Sequence, residues 1–381
     1  MDIIHFNNAG ASLTNSNSIQ ILKDYIDLEK NVGGYELQEK YKAKLNKFYE
    51  VISRLINCKP SEVSFMPNST LSWNFAFNSI PITKDDDILI FENEYSSNLL
   101  TIIKKQNHFR NLKICKLNNL GEIDFSKLEQ MITRKTRLIN INHVCSQNGD
   151  IMPVEIIGKI LKNKNPNSIF MIDACQSAGQ IPIDVKKFKC DILSTTGRKF
   201  LNGPRGTGFL YVNTKTRSIL DPLFLDMTSA KLISDKKFRI KKNRPFLESF
   251  EFSPALQIAL TNSIKSLLNR GIDNIMGKNI RLSKYLRKKL FDNVHFYENK
   301  NTLSAINTFS LKKGCVIDLF NYLKKNKINT YLVNQDVSNL YFKKIKKKFL
   351  LRISFHYYNN KSEIDYFVKV FEKFNKIKKM V

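Results

Sequence analysis

Between about residues 85 and 215, short runs of β-branched and aromatic residues alternate with stretches whose apolar positions recur every three or four residues. The first pattern fits strands buried on both faces, the second amphipathic helices, so the alternation predicts a parallel sheet covered by helices. Strands are predicted over 87–91, 112–116, 137–143, 169–173, 191–195 and 208–212, with helices over 97–105, 126–132 and 154–163. Upstream, helical periodicity occupies 18–31 and 37–56, separated by the turn-forming Val32-Gly33-Gly34. Downstream, a stretch rich in Lys and Arg over 231–244 leads to helical patterns from Pro254 to about 269 and on to about 290. The tail then reads strand (305–311), helix (316–324), strand (349–355) and helix (362–374). The whole predicts an α/β chain: a segment 1–20 packing with the small domain, a large domain over 21–255, and a smaller α+β domain over 256–381.

Composition narrows the class. With 381 residues, 42% apolar and 25% charged, 14 Gly and 10 Pro, the chain is excluded from disordered, collagen-like and low-complexity classes and can bury a large core. No run approaches the roughly 18 apolar residues of a membrane helix. The start, Met1-Asp2-Ile3-Ile4-His5, lacks the basic flank and apolar run of a signal peptide, so a cytoplasmic protein without a membrane partner is expected. Six cysteines show neither C-x-x-C pairs nor Cys/His ligand spacing, so no metal site and no disulfide framework is expected.

The charge is the unusual feature: 62 basic against 34 acidic residues, a net +28. The Lys residues are spread along the chain beside many Asn and Ile, as A/T-rich coding would produce, whereas nucleic-acid binders cluster Lys and Arg on one face. The densest run, Lys343 to Lys348, reads as a solvated loop. A basic nucleic-acid-binding protein stays as the alternative from another class.

The most informative stretch is the apolar run from Ile169 ending at Asp173, with Gln176 after two further residues. Polar side chains there emerge at the carboxyl edge of the sheet, where open α/β folds bind ligands. The next predicted strand runs into Thr196-Gly197-Arg198-Lys199, and Gly203-Pro204-Arg205-Gly206-Thr207-Gly208 opens the one after it. An Asp and a Lys are therefore presented at the ends of neighbouring strands. Pro67-Asn68-Ser69-Thr70, ahead of a helical pattern, forms either an ordinary N-cap or a helix N-terminus that receives an anion.

These motifs resemble the pyridoxal-phosphate enzymes of aminotransferase class V, the group of cysteine desulfurases, selenocysteine lyases and isopenicillin-epimerase-like proteins. The resemblance runs from Asn7-Asn8-Ala9-Gly10-Ala11-Ser12 to the stretch that opens Leu351-Arg352 and ends at Asn360. It implies a PLP fold type I architecture, a large domain with a mainly parallel sheet plus a smaller α+β domain, and pyridoxal 5'-phosphate as cofactor. By the same resemblance Lys199 binds the aldehyde and then moves protons at the substrate α-carbon. Asp173 pairs with the ring nitrogen, and Gln176 donates to the phenolic oxygen. Ser69, Thr70, Thr196 and Arg198 hold the phosphate, Arg198 standing where most desulfurases carry His. Tyr95, in Glu94-Tyr95, takes the position of the histidine that stacks on the ring. Ser146 stands where desulfurases place an Asn, and Arg352 clamps the substrate carboxylate.

Desulfurases also carry a nucleophilic cysteine on a mobile loop shortly before that arginine, and residues 333–348 contain none. The opening motif, Val32-Gly33-Gly34-Tyr35-Glu36, the Arg198-Lys199 pair and His356-Tyr357-Tyr358-Asn359 look most like hercynylcysteine-sulfoxide-lyase-type members. The resemblance thus implies a β-eliminating C–S lyase acting on an S-substituted cysteine or its sulfoxide, with a class V aminotransferase or epimerase as alternatives. It implies a homodimer too, although Glu248 to Phe252 occupies the region where relatives offer Gly-Thr to the neighbouring phosphate.

Overall fold

A computed structural model describes residues 3–241, 247–299 and 301–380. The chain opens with a short strand β1 (Ile4–His5), then helices α1 (Ser16–Val32), α2 (Gly34–Lys40) and α3 (Lys42–Ile56). Gly33 separates the first two with φ 95°, a left-handed value that glycine adopts without Cβ strain. Sequence periodicity predicts one helix over 37–56; two form, because Tyr41 leaves the helical region at ψ 3° and lays its ring edge-on against Tyr25 at 5.1 Å.

The central unit follows: β2 (Val63–Met66), α4 (Ser69–Ser79), β3 (Asp87–Phe91), α5 (Ser96–Lys104), β4 (Asn111–Cys115), α6 (Phe125–Met131), β5 (Thr136–Asn142), α7 (Val154–Lys164), β6 (Ile169–Asp173), β7 (Ile192–Thr196), β8 (Gly208–Val212) and the short α8 (Thr214–Arg217). Its seven strands lie in the order β2-β8-β7-β6-β5-β3-β4. Strands β7, β6, β5, β3 and β4 are mutually parallel; at one edge β8 runs antiparallel to β7, and β2, antiparallel to β8, points the same way as the other five. The alternation along each strand is read out on both faces. Leu89, Phe91, Phe170 and Ile172 enter one buried cluster with α3 and α7, and Ile88, Ile90, Ile169 and Met171 enter another with α4 and α5. Strand β2 escapes sequence reading because its four residues are too few to show a period.

The Lys- and Arg-rich stretch forms a hairpin of β9 (Ala230–Ser234) and β10 (Lys237–Ile240); residues 242–244 of that expectation lie outside the described residues. Helix α9 (Pro254–Arg270), capped by Ser253 with Pro254 in its first turn, buries Leu260, Ile264 and Leu267 in the large core. Helix α10 (Ile272–Leu290) buries Leu282, Leu286 and Leu290 in a separate cluster. That cluster fills the smaller unit: β11 (Val294–Phe296), β12 (Ile306–Leu311), α11 (Val316–Lys325), β13 (Ile328–Asn329), β14 (Tyr331–Asn334), α12 (Asn339–Ile345), β15 (Phe349–Ser354) and α13 (Lys361–Met380). Its antiparallel sheet has the order β11-β12-β15-β14, and β1 pairs alongside with β13. Among the described residues no helix is long and apolar enough to cross a membrane.

The 343–348 run, expected as a solvated loop, instead begins as the last turn of α12. The Lys344 ammonium reaches the Glu92 carboxylate and the carbonyls of Leu117 (2.6 Å) and Asn118 (3.1 Å), tying the small unit to the large one.

Candidate active site

Strands β6 and β7 are paired in parallel with Asp173 opposite Ser194, so both chains leave the sheet at one edge. Asp173 is the last residue of β6; its carboxylate accepts from the Cys175 backbone N–H at 2.9 Å and from Asn98 Nδ2 at 3.2 Å. Beyond β7 the chain turns sharply through Gly197. The Gly197 N–H donates to the Thr207 carbonyl at 2.8 Å, and a Cβ on Gly197 would meet Thr207 Oγ1 at 2.0 Å, so only glycine allows this approach. The glycine-rich 203–208 loop thereby braces the turn that presents Lys199. The lysine is 8% exposed, and burial, reinforced by Arg198 and Arg352, pulls its amine below the ordinary value despite the opposing pull of Asp173.

Lys199 and Asp173 line one cavity of about 450 Å³ together with Ser69, Thr70, Tyr95, Thr196 and Arg198. One end of it is the start of α4, where Asn68 caps the helix by accepting from the Leu71 N–H at 2.9 Å. The Ser69 hydroxyl lies 3.3 Å from that of Ser194, Thr70 is exposed, and Arg198 is half-buried with its guanidinium against the Gly10 carbonyl. A helix N-terminus, hydroxyls and a fixed positive charge thus converge on one end of the cavity. Tyr95 is half-buried at the N-cap of α5, on the cavity wall.

The remaining predicted residues form a connected corner. Arg352, at the middle of β15 and 3% exposed, donates from Nη1 to the Ser146 carbonyl at 2.7 Å and to its hydroxyl at 3.2 Å. The guanidinium stacks on Tyr331, its register partner on β14, 4.8 Å from the ring centre. Burial brings Arg352 down to about 10, still charged at neutral pH. Gln176 commits its Nε2 to the Ala9 carbonyl and the Ser146 hydroxyl, both at 3.0 Å, so its unpartnered buried atom is the carbonyl Oε1. Ser146 Oγ thus accepts from both neighbours, which leaves its own proton free to donate.

One contributor has no distinct sequence signal, and another is marked in the sequence as a motif but not by its contacts. Asn98, one Asn among many, is 3% exposed, lines the cavity and bridges Asp173 to Glu94. The backbone of residues 9–12 forms the other: Ala9 N–H donates to Ser354 Oγ at 2.8 Å, and Ser12 N–H donates to the Arg198 carbonyl at 2.9 Å. His143 sits in the core, edge-on to Phe188 at 5.1 Å, and burial holds it at about 4, as suits a neutral packing residue. Cys175 lines the cavity, but burial and Asp173 push its thiol up to about 12, far from a nucleophilic thiolate.

These residues fit pyridoxal phosphate. A buried amine and a carboxylate share one cavity with an anion cradle, and the adjoining corner holds buried polar atoms without partners, Gln176 Oε1 and Arg352 Nε. A helix-covered, mainly parallel sheet with Lys and Asp at adjacent strand ends is the fold of type I PLP enzymes. The aminotransferase class-V family model matches residues 4–367, and the chain belongs to that family; it is a PLP-dependent enzyme. It is 33% identical over 384 residues to a probable cysteine desulfurase of Borreliella burgdorferi, covering 96% of this chain and 90% of that protein. The fold is similar to that of an apo cysteine desulfurase from Thermococcus onnurineus NA1, with TM-score 0.91, 24% identity and coverage of 98% of this chain and 95% of that one. A cystine C–S lyase in complex with cysteine persulfide shares the fold as well, with TM-score 0.85, 16% identity and 96% of each chain covered.

Proposed function

We propose that the protein is a β-eliminating C–S lyase that converts an S-substituted cysteine, or its sulfoxide, to pyruvate and ammonia. The observation that carries this reading is the segment before Arg352. Residues 333–348 hold no cysteine. The segment is also pinned against the cavity wall: Ser96 N–H donates to the Val337 carbonyl at 3.0 Å, and Ser338 Oγ donates to the Glu94 carbonyl at 2.8 Å. A side chain that takes sulfur from the substrate is missing where the desulfurase reaction needs one.

When bound, pyridoxal phosphate supplies an electron sink for the pair left at the substrate α-carbon. In this reading Lys199 would hold the aldehyde and its amine would take the α-proton; burial, reinforced by Arg198 and Arg352, lowers its basicity and so favours the neutral form that accepts a proton. Asp173 would pair with the ring nitrogen and favour a proton there. Ser69, Thr70, Thr196 and Arg198 would hold the phosphate, and Tyr95 would stack on the ring. The Ser146 hydroxyl is the free donor at the corner where Gln176 and Arg352 meet, and serves the phenolic oxygen. Arg352, whose buried Nε lacks a partner, would clamp the substrate carboxylate. The leaving thiolate, or sulfenate from a sulfoxide, departs from Cβ with the bonding pair, and water then converts the remaining carbon skeleton to pyruvate and ammonia.

A second reading, cysteine desulfuration, is favoured by the 33%-identical relative named a probable cysteine desulfurase. Incubation of the holoenzyme with cystine, S-alkyl cysteines and their sulfoxides separates the two. Pyruvate and ammonia in equal amounts support elimination. Alanine with a protein-bound persulfide overturns it in favour of desulfuration. Conversion of the cofactor to its amine form without pyruvate overturns it in favour of transamination, and α-deuterium wash-in without net turnover in favour of epimerisation.

A further inference from the structure

Glu94 is fully buried one residue before Tyr95 and is linked to Asp173 through Asn98. Its carboxylate accepts from four N–H donors: the Tyr95 backbone at 2.9 Å, Asn98 Nδ2 at 3.0 Å, Asn140 Nδ2 at 2.7 Å and Asn142 Nδ2 at 3.1 Å. Asn140 is itself oriented, because its Oδ1 accepts from Trp73 Nε1 at 2.9 Å. Every one of these partners is a neutral donor, so the arrangement calls for a carboxylate that only accepts, the ionised form. The same Asn98 Nδ2 also donates to Asp173 Oδ2 at 3.2 Å, so one amide joins the two carboxylates.

We propose that Glu94 is a positioning residue for the cofactor's ring nitrogen: through Asn98 it fixes the Asp173 carboxylate and sets a second negative charge behind it. This rests on the reading of Asp173 as the ring-nitrogen partner. The two carboxylate oxygens are no farther apart than the two Asn98 hydrogen bonds laid end to end. At that separation inside a protein, each charge raises the proton affinity of its surroundings by an amount a titration resolves. The titratable groups facing Glu94 are Asp173 from β6 and Cys145 after β5, whose buried thiol stays protonated. Burial, with Asp173 adding to it, pushes the Glu94 carboxyl up to about 7, and a protonated ring beyond Asp173 would bring it back down. Asp173 accepts from the Asn98 amide and from the Cys175 backbone N–H, so the bridge is one of the two N–H contacts that hold it.

The test is a pH titration of the visible absorption band of the substrate-free holoenzyme, which reads the cofactor's protonation without reference to turnover. Glu94→Gln removes the second charge and moves the midpoint to lower pH by about one unit. Asn98→Ala removes the bridging donor but leaves both charges, and moves it to higher pH. Opposite displacements in the two variants support the proposal; a common direction, or midpoints that coincide with the unaltered enzyme, overturns it. If Glu94→Gln fails to fold by near-ultraviolet circular dichroism, Asn98→Ala alone decides, with an upward shift in support and no shift against. Asp173→Asn separates the two claims. No displacement in that variant overturns the reading of Asp173 itself, whereas a displacement there with none in Glu94→Gln overturns only the role of Glu94.

Discussion

The two walls of the active site are built differently. The wall carrying Lys199 and Asp173 is the edge of a sheet buried on both faces, with a turn braced by backbone hydrogen bonds at Gly197. The wall carrying Arg352 belongs to the small antiparallel sheet, and polar contacts join it to the first: Ser338 to Glu94, Lys344 to Glu92, Arg352 to Ser146. In the proposed reading, covalent chemistry falls on rigid packing and substrate recognition on a surface held by hydrogen bonds, where side-chain changes alter fit without disturbing the sheet.

The largest effect is expected at the rigid wall. Lys199→Ala should abolish the yellow chromophore and lower turnover by about 10²–10⁴-fold, the usual range for a lost proton-transfer group, measured by pyruvate release. On the opposite wall, Arg352→Ala should lower kcat/KM about 10²-fold, largely through KM, while the chromophore stays; loss of the absorption band would show that the walls are not separable in function. A pH measurement sharpens the contrast. Only the neutral amine reacts with the aldehyde, so cofactor uptake by the apoprotein should accelerate with rising pH and reach half its maximum below the ordinary lysine value of 10.5, because burial and the two arginines disfavour the ammonium. Arg352→Ala removes one repelling charge and should move that midpoint upward.

Smaller effects follow at the clasp. Lys344→Ala should cost about 1 kcal/mol in denaturant unfolding, since the pair is partly exposed and screened, and raise KM with little change in kcat. Replacing Cys175, or the exposed Cys315 at the N-cap of α11, with Ser should leave pyruvate release unchanged. A lost activity in either variant would restore a sulfur-carrying role to the chain.

How far the sequence could be read depends on the distance between partners. Strands 87–91, 169–173 and 208–212 match their predicted limits because a doubly buried strand announces itself as a continuous apolar run. Asp173 and Lys199 were visible as polar residues ending such runs. Asn98 and the corner made by Ser146 were not legible as a network, since their partners come from other elements and nothing local marks an amide as bridging. Helix α12 was hidden by its lysines. The charge that makes 343–348 look solvated is used, at Lys344, to reach Glu92, 252 residues earlier. The Gln176 amide shows a finer limit: its position in the motif is evident, but only the structure tells that its N–H groups face Ala9 and Ser146.

The strap formed by residues 7–12 links the lysine turn to the last strand, through Ser12 to Arg198 on one side and through the Asn7 and Ala9 contacts with Ser354 on the other. Its two anchors, Arg198 and Ser354, come from different units of the fold. The strap can be tied to Ser354 only after the small unit has been made, and contacts this remote in sequence form slowly. A nascent chain stalled before residue 349 would present the lysine turn with the strap fastened on one side only.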